Sequence, residues 1–176
     1  METTIAAVII VALILFSTLT LAHGYLSAQD QILQSWRATE QRVQEQARTD
    51  LQLVEAAVLP SRDEVELTVR NDGSTRLTDP EAWDVVLEYD ALTAWVTRWY
   101  PYAGPAIQAQ NQWTIAGIYR KAAEGEPEVL GPGILDPGEE MVVRVSVSPP
   151  VLGSGVGVAT VATPNGVGAS AVLEMR

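Results

Sequence analysis

Three short acidic stretches are the first places where chemistry could reside: "DPGEE" (Asp136, Glu139, Glu140), "NDGS" (Asn71, Asp72) and "TDPE" (Asp79, Glu81). Grouped oxygen donors suit a hard cation such as calcium, yet none of the three follows the ligand spacing of an EF-hand loop. Each reads better as a solvated turn, because Asp, Asn, Ser, Gly and Pro are the usual turn residues. His23 is the sole histidine, and there is no cysteine. Sites built from nitrogen or sulfur ligands are therefore not expected. With no histidine after residue 23, a Ser-His-Asp set cannot form in the rest of the chain. The glycines of "GPGILDPG" lack the lysine and the strand-to-helix setting of a phosphate loop. The expectation is a protein that is not an enzyme, with no catalytic residue, no metal and no cofactor.

Aromatic side chains are the other candidates. Trp83, Trp95, Trp99 and Trp113, with Tyr89, Tyr100, Tyr102 and Tyr119, crowd into the middle of the chain. Such clusters fill cores or bind sugars and protein partners. Trp83 and Trp113 are expected in the core. The run "WVTRWYPYAGP" is harder to bury, so Trp95, Trp99, Tyr100 and Tyr102 are the candidate contact surface toward other subunits. The net charge of −11 argues against binding nucleic acid or anionic lipid headgroups.

The elements that must carry these residues fall into two parts. Residues 5–22 form an uncharged apolar run, near the lower length for a bilayer-spanning helix. The first basic residue is Arg37 and the second residue is Glu2. A secretory signal or a plain anchor would show basic flanks. One expectation that accounts for this is a mature N-terminus at Met1, exposed by removal of a basic leader. Residues 29–57 are rich in Gln, Ala, Arg, Glu and Leu, good helix formers, and no proline occurs before Pro60. Leu26, Leu33, Trp36, Val43, Ala47, Leu51 and Val54 recur at helical spacing as a narrow stripe. The spacing predicts one helix over residues 1–57 that packs against copies of itself. Glu2, Ile5, Ile9, Leu13, Phe16, Leu26, Leu33, Trp36 and Val43 are the candidate assembly residues.

After Pro60 the period changes to two. "EVELTVRN" and "MVVRVSV" alternate in the manner of half-buried strands, each bounded by turn residues. "WDVVLEY", "LTAWVTRWY" and "QWTIAGIY" are strand-like, and "VGVATVA-TPNGV-GASAVLEM" reads as a hairpin about Asn165-Gly166. "TDPEAW" suits a short helical turn with Thr78 or Asp79 as N-cap and Pro80 in first position. Six to eight strands over residues 58–176 suffice for one antiparallel β-sandwich. The expected fold class is α+β: a long N-terminal helix, then the sandwich.

The apolar start, the long helix and a head carrying "VRNDGSTRL", "DVVLEY", "LDPGEEMVVRVSV" and "VATPNGV" resemble the archaeal flagellins and their accessory relatives, within the type IV pilin-like superfamily. That resemblance implies removal of a leader by a prepilin-type peptidase and residence in the membrane before assembly. It further implies an assembly ATPase on a membrane platform, and a homopolymeric filament whose immunoglobulin-like heads form the outer surface. The positions where bacterial pilins carry Glu and a kinking Pro hold Ile5 and Ala22, and no N-x-Ser/Thr sequon is present. Two functions follow as expectations: a subunit of an archaellum-like surface filament, or a membrane-anchored accessory protein whose sandwich binds a surface-layer or other protein partner.

Overall fold

In the computed structural model one helix, α1 (Glu2–Arg48), is followed by β1 (Leu51–Val58), β2 (Glu64–Asn71), β3 (Asp84–Asp90), β4 (Trp95–Tyr100), β5 (Trp113–Lys121), β6 (Glu126–Pro127), β7 (Glu140–Ser146), β8 (Gly157–Ala162), β9 (Gly168–Val172) and β10 (Glu174–Met175). The structure describes residues 2–91, 94–128, 131, 133–152 and 157–176, with backbone alone at residues 2–4 and 6. The chain divides into two compact units, Met1–Gln44 and Glu45–Arg176.

The helix stops at Arg48, not at residue 57 as its composition predicts, and residues 51–58 are a strand. Leu51 and Val54 fit a helical stripe, but Leu51 and Leu53 also fit a period of two. Tertiary pairing decides between these readings: β1 lies antiparallel on β2, and Leu51, Leu53, Ala56 and Val58 enter the core. Intrinsic helix propensity, worth less than about 1 kcal/mol per residue, yields to that burial, worth roughly 1.5–3 kcal/mol for each large side chain.

The helix end is satisfied locally. The Thr49 hydroxyl donates to Glu45 O (2.8 Å) and accepts from Asn165 Nδ2 (2.9 Å), while Ser74 N donates to Arg48 O (2.8 Å). Asp50 O takes two amides, from Asp72 (3.0 Å) and Gly73 (3.1 Å). A Cβ on Gly73 would lie 2.5 Å from Arg48 O, so only glycine permits this approach.

Two sheets face each other, ordered β10-β1-β2-β7-β5-β6 and β4-β3-β8-β9. Almost every pair is antiparallel; β10 joins β1 in parallel. The core is what the alternation predicts: Val65, Leu67 and Val69, Val85, Leu87 and Tyr89, Met141, Val143 and Val145, and Ala159 with Val161. Trp83 and Trp113 are buried among them. The hairpin about Asn165-Gly166 forms between β8 and β9, with Gly166 at φ +87°. Its second arm is not one continuous strand. At the buried Leu173, whose amide donates to Gly157 O (2.8 Å), the chain leaves the smaller sheet and joins the larger as β10. The turn at Pro80–Ala82 is a 3-10 turn with Asp79 in the capping position; Asp79 has φ +54° and its side chain makes no capping bond.

Candidate assembly surfaces

The first surface is the helix itself. Among its described side chains, Ile5, Ile9, Leu13, Phe16, Leu26, Leu33, Trp36 and Val43 are all exposed, Phe16 and Trp36 by more than 70%. The Glu2 side chain lies outside the described residues. No Asp, Glu, Lys or Arg occurs between Glu2 and Asp30, a length of about 40 Å at 1.5 Å per residue. Hydroxyls within and beyond this stretch bond to their own helix: Thr18 Oγ1 to Leu15 O (2.9 Å) and Ile14 O (3.0 Å), Thr20 Oγ1 to Phe16 O (2.9 Å), and Thr39 Oγ1 to Ser35 O (2.9 Å). Such back-bonding leaves Thr18 and Thr20 no donor to satisfy elsewhere, which suits dry surroundings. By length and composition this helix can cross a membrane. The stripe Leu26, Leu33, Trp36, Val43 steps by seven and three, so it drifts around a straight helix. A contact that follows it must wind.

The second surface is the outer face of the smaller sheet. Along β4 exposure alternates: Trp95, Thr97 and Trp99 point outward, while Val96 packs toward the core and Arg98 donates from Nη1 to Ser148 O (2.7 Å). The two outward indoles are each 55% exposed, the accessibility that the expected contact surface requires. Tyr100 corrects that expectation. It is completely buried, and its hydroxyl meets that of Tyr89 at 3.5 Å, which donates in turn to Pro149 O (2.8 Å). Burial is the main cause that pushes the Tyr100 phenol well above its ordinary pKa, and the bond to Tyr89 adds to it. Tyr102 is half-buried, its ring 4.8 Å from that of Trp113 at a 55° tilt. Tyr100, the last residue of β4, turns inward with the pleat; the aromatic-rich run concealed this until the strand's period was applied to it.

A row of carboxylates escaped the sequence reading. Asp84, Glu88 and Asp90 of β3 flank the indoles: Trp99 Nε1 donates to Asp84 Oδ1 (2.8 Å), Thr97 pairs with Glu88, and Trp95 with Asp90. The signal was present in "DVVLEYD", whose alternate residues share one face.

The turns "DPGEE" and "NDGS" make bonds within the head. Asp136 pairs with Arg76 and its amide donates to Glu139 Oε2 (3.0 Å), while Glu140 Oε2 accepts from the Ala122 amide (2.8 Å). Asn71, fully buried, donates from Nδ2 to Thr75 O (2.9 Å) and Leu135 O (3.0 Å) and accepts from the Gly73 amide (3.1 Å). It ties two loops to the end of the larger sheet. Among the described residues no group of three or more His, Asp or Glu converges as a cation site.

No family model matches the chain, and no curated protein sequence does. Solved structures do. The crystal structure of archaeal flagellin FlaB1 from Methanocaldococcus jannaschii superposes with a TM-score of 0.52 at 12% identity, over 70% of this chain and 88% of that one. The chain has an archaeal flagellin-like fold. The archaellum periplasmic stator protein FlaG from Sulfolobus acidocaldarius aligns over 70% of this chain and 98% of its own, at 18% identity and a TM-score of 0.49. The same organism's stator complex of FlaF and FlaG aligns at 18% identity and 0.49, over 69% of this chain and 86% of that one. Sequence identity this low leaves shared geometry rather than shared residues.

Proposed function

We propose that this chain is a structural subunit of an archaellum-like extracellular filament, polymerising through α1 and serving motility or adhesion. The observation that carries the proposal is the helix surface: about 40 Å without a charged residue, apolar over residues 5–22 and exposed along every described side chain, on a chain with a flagellin-like fold. Large apolar surface of this kind needs cover. Lipid covers it before assembly and the helices of other copies afterwards, so Ile5, Ile9, Leu13 and Phe16 exchange lipid for packed neighbours. Leader removal by a prepilin-type peptidase, and an ATPase on a membrane platform to drive extrusion, belong to the same proposal. The same proposal places Glu2 in the filament core, where its charge requires a cationic partner.

The second reading is a membrane-anchored accessory protein. It is favoured by the one helix, among the described residues, long and apolar enough to span a bilayer, followed by a charged segment from Asp30 onward that suits a stalk. Electron microscopy and peptide mass spectrometry of fibres sheared from the cell surface separate the two. A filament subunit dominates the fibres. If the fibres lack the chain and it stays with membranes at low copy, the filament proposal is wrong and the anchored one stands.

A further inference from the structure

The four sheet ends of the head are not alike. The larger sheet ends in β6 and β10, two residues each, and β6 contains Pro127. In the smaller sheet β9 lies against β1 and passes directly into β10. Such short, proline-bearing or covered ends are the usual protection against stray strand pairing. β4 has none of it. It is six residues long, and among the described residues it hydrogen-bonds in register only with β3, leaving every second backbone group of its far side facing outward.

The face beside this edge is chemically one-sided. Its outward positions hold Trp95, Thr97 and Trp99 on β4 and Asp84, Val86, Glu88 and Asp90 on β3, and Arg98, the sole basic residue of β3, β4, β8 and β9, points the other way. The Trp99 indole is held in place by Asp84, and the short Thr97, opposite Glu88, stands between the two indoles in the strand.

We propose that the free edge of β4 receives an extended strand of another protein with Lys or Arg at alternate positions, adding a fifth strand to the smaller sheet. Strand addition supplies backbone hydrogen bonds, and alternate side chains supply specificity. A cation opposite Thr97 lies between the two indoles and reaches across that residue toward Glu88. The added strand runs about 10 Å from β3, two strand spacings, which a long basic side chain and a glutamate bridge together. Indole faces attract the same cations. A second copy of this chain fits less well, since pairing β4 with itself would place six carboxylates on one face with no cation among them. The inference holds whether the chain is in a filament or anchored in a membrane.

The test uses the full chain in detergent micelles and two synthetic heptapeptides, both with Val at the even positions, one with Lys and the other with Glu at the central odd positions. Amide hydrogen exchange by NMR should show alternate β4 amides slowed at least tenfold by the Lys peptide and unchanged by the Glu peptide. Glu88→Lys should weaken binding of the Lys peptide at least tenfold, and Glu88→Gln by a smaller factor that added salt erases. Unaltered exchange in β8 shows that each variant is folded. Equal protection by both peptides, or none by the Lys peptide, overturns the proposal. Protection of β4 that rises with protein concentration and needs no peptide also overturns it, and assigns the edge to a second copy.

Discussion

Gly73 and Tyr100 show how single residues hold the head together at opposite ends of the chemistry available to it. At Gly73 the constraint is steric. Replacing it by alanine puts a methyl group 2.5 Å from Arg48 O and 2.6 Å from Asp50 N, backbone atoms that cannot swing aside. Gly73→Ala should cost about 1–3 kcal/mol. Thermal unfolding of the chain in micelles, followed by circular dichroism, should show a melting point several degrees lower. At Tyr100 the constraint is electrostatic. Its folded pKa is raised above the ordinary phenol value of 10.0, first by burial and then by Tyr89. The folded chain therefore keeps this proton where the unfolded chain has lost it, so the contribution is complete below pH 10 and declines as the pH rises above it. Denaturant midpoints measured from pH 9 to pH 12 should fall steeply, and Tyr100→Phe should flatten the slope. A slope unchanged by that substitution would assign the alkaline loss to other groups.

Among the elements, α1 carries the assembly prediction. Ile9→Asp or Leu13→Asp places an unpaired charge where about 3 kcal/mol per residue is already needed for insertion near a helix centre. Either substitution should abolish fibres, while Leu13→Ile, close in volume, should leave them intact. Abundant fibres from both acidic variants would count against a packed helical core. β2 and β7 were legible before the structure because their residues alternate, as a half-buried sheet requires, and β8 with β9 through the hairpin signal at Asn165-Gly166. β1 was not legible. Its "LQLVEAAV" satisfies two periods at once, and only the partner strand, some ten residues further along, breaks the tie. The same limit applies to the outer face of the smaller sheet: Trp95 and Trp99 stood out by type, whereas the carboxylates beside them acquired meaning only through the register of β3 on β4.

For the whole molecule, the separation of the chain into a helical and a β unit assigns distinct demands to each. The helix requires company, and its hydroxyls are bonded inward so that company can be apolar. The head carries most of the charge: after residue 56 there are 16 acidic and 8 basic residues, a net −8 of the total −11. A filament with such heads outermost presents a dense negative surface, and its repulsion between neighbours is screened by salt. Lowering ionic strength should therefore loosen sheared fibres, a change measurable as faster depolymerisation, whereas fibres held mainly by head ion pairs would tighten. The first strand of the head has a mechanical consequence. β1 begins at Leu51 and is flanked by β2 along its length and by β10 at its far end. The strand by which the head joins the rest of the chain cannot leave the sheet without breaking pairings on both of its sides. A fastening of that kind is fit to be pulled.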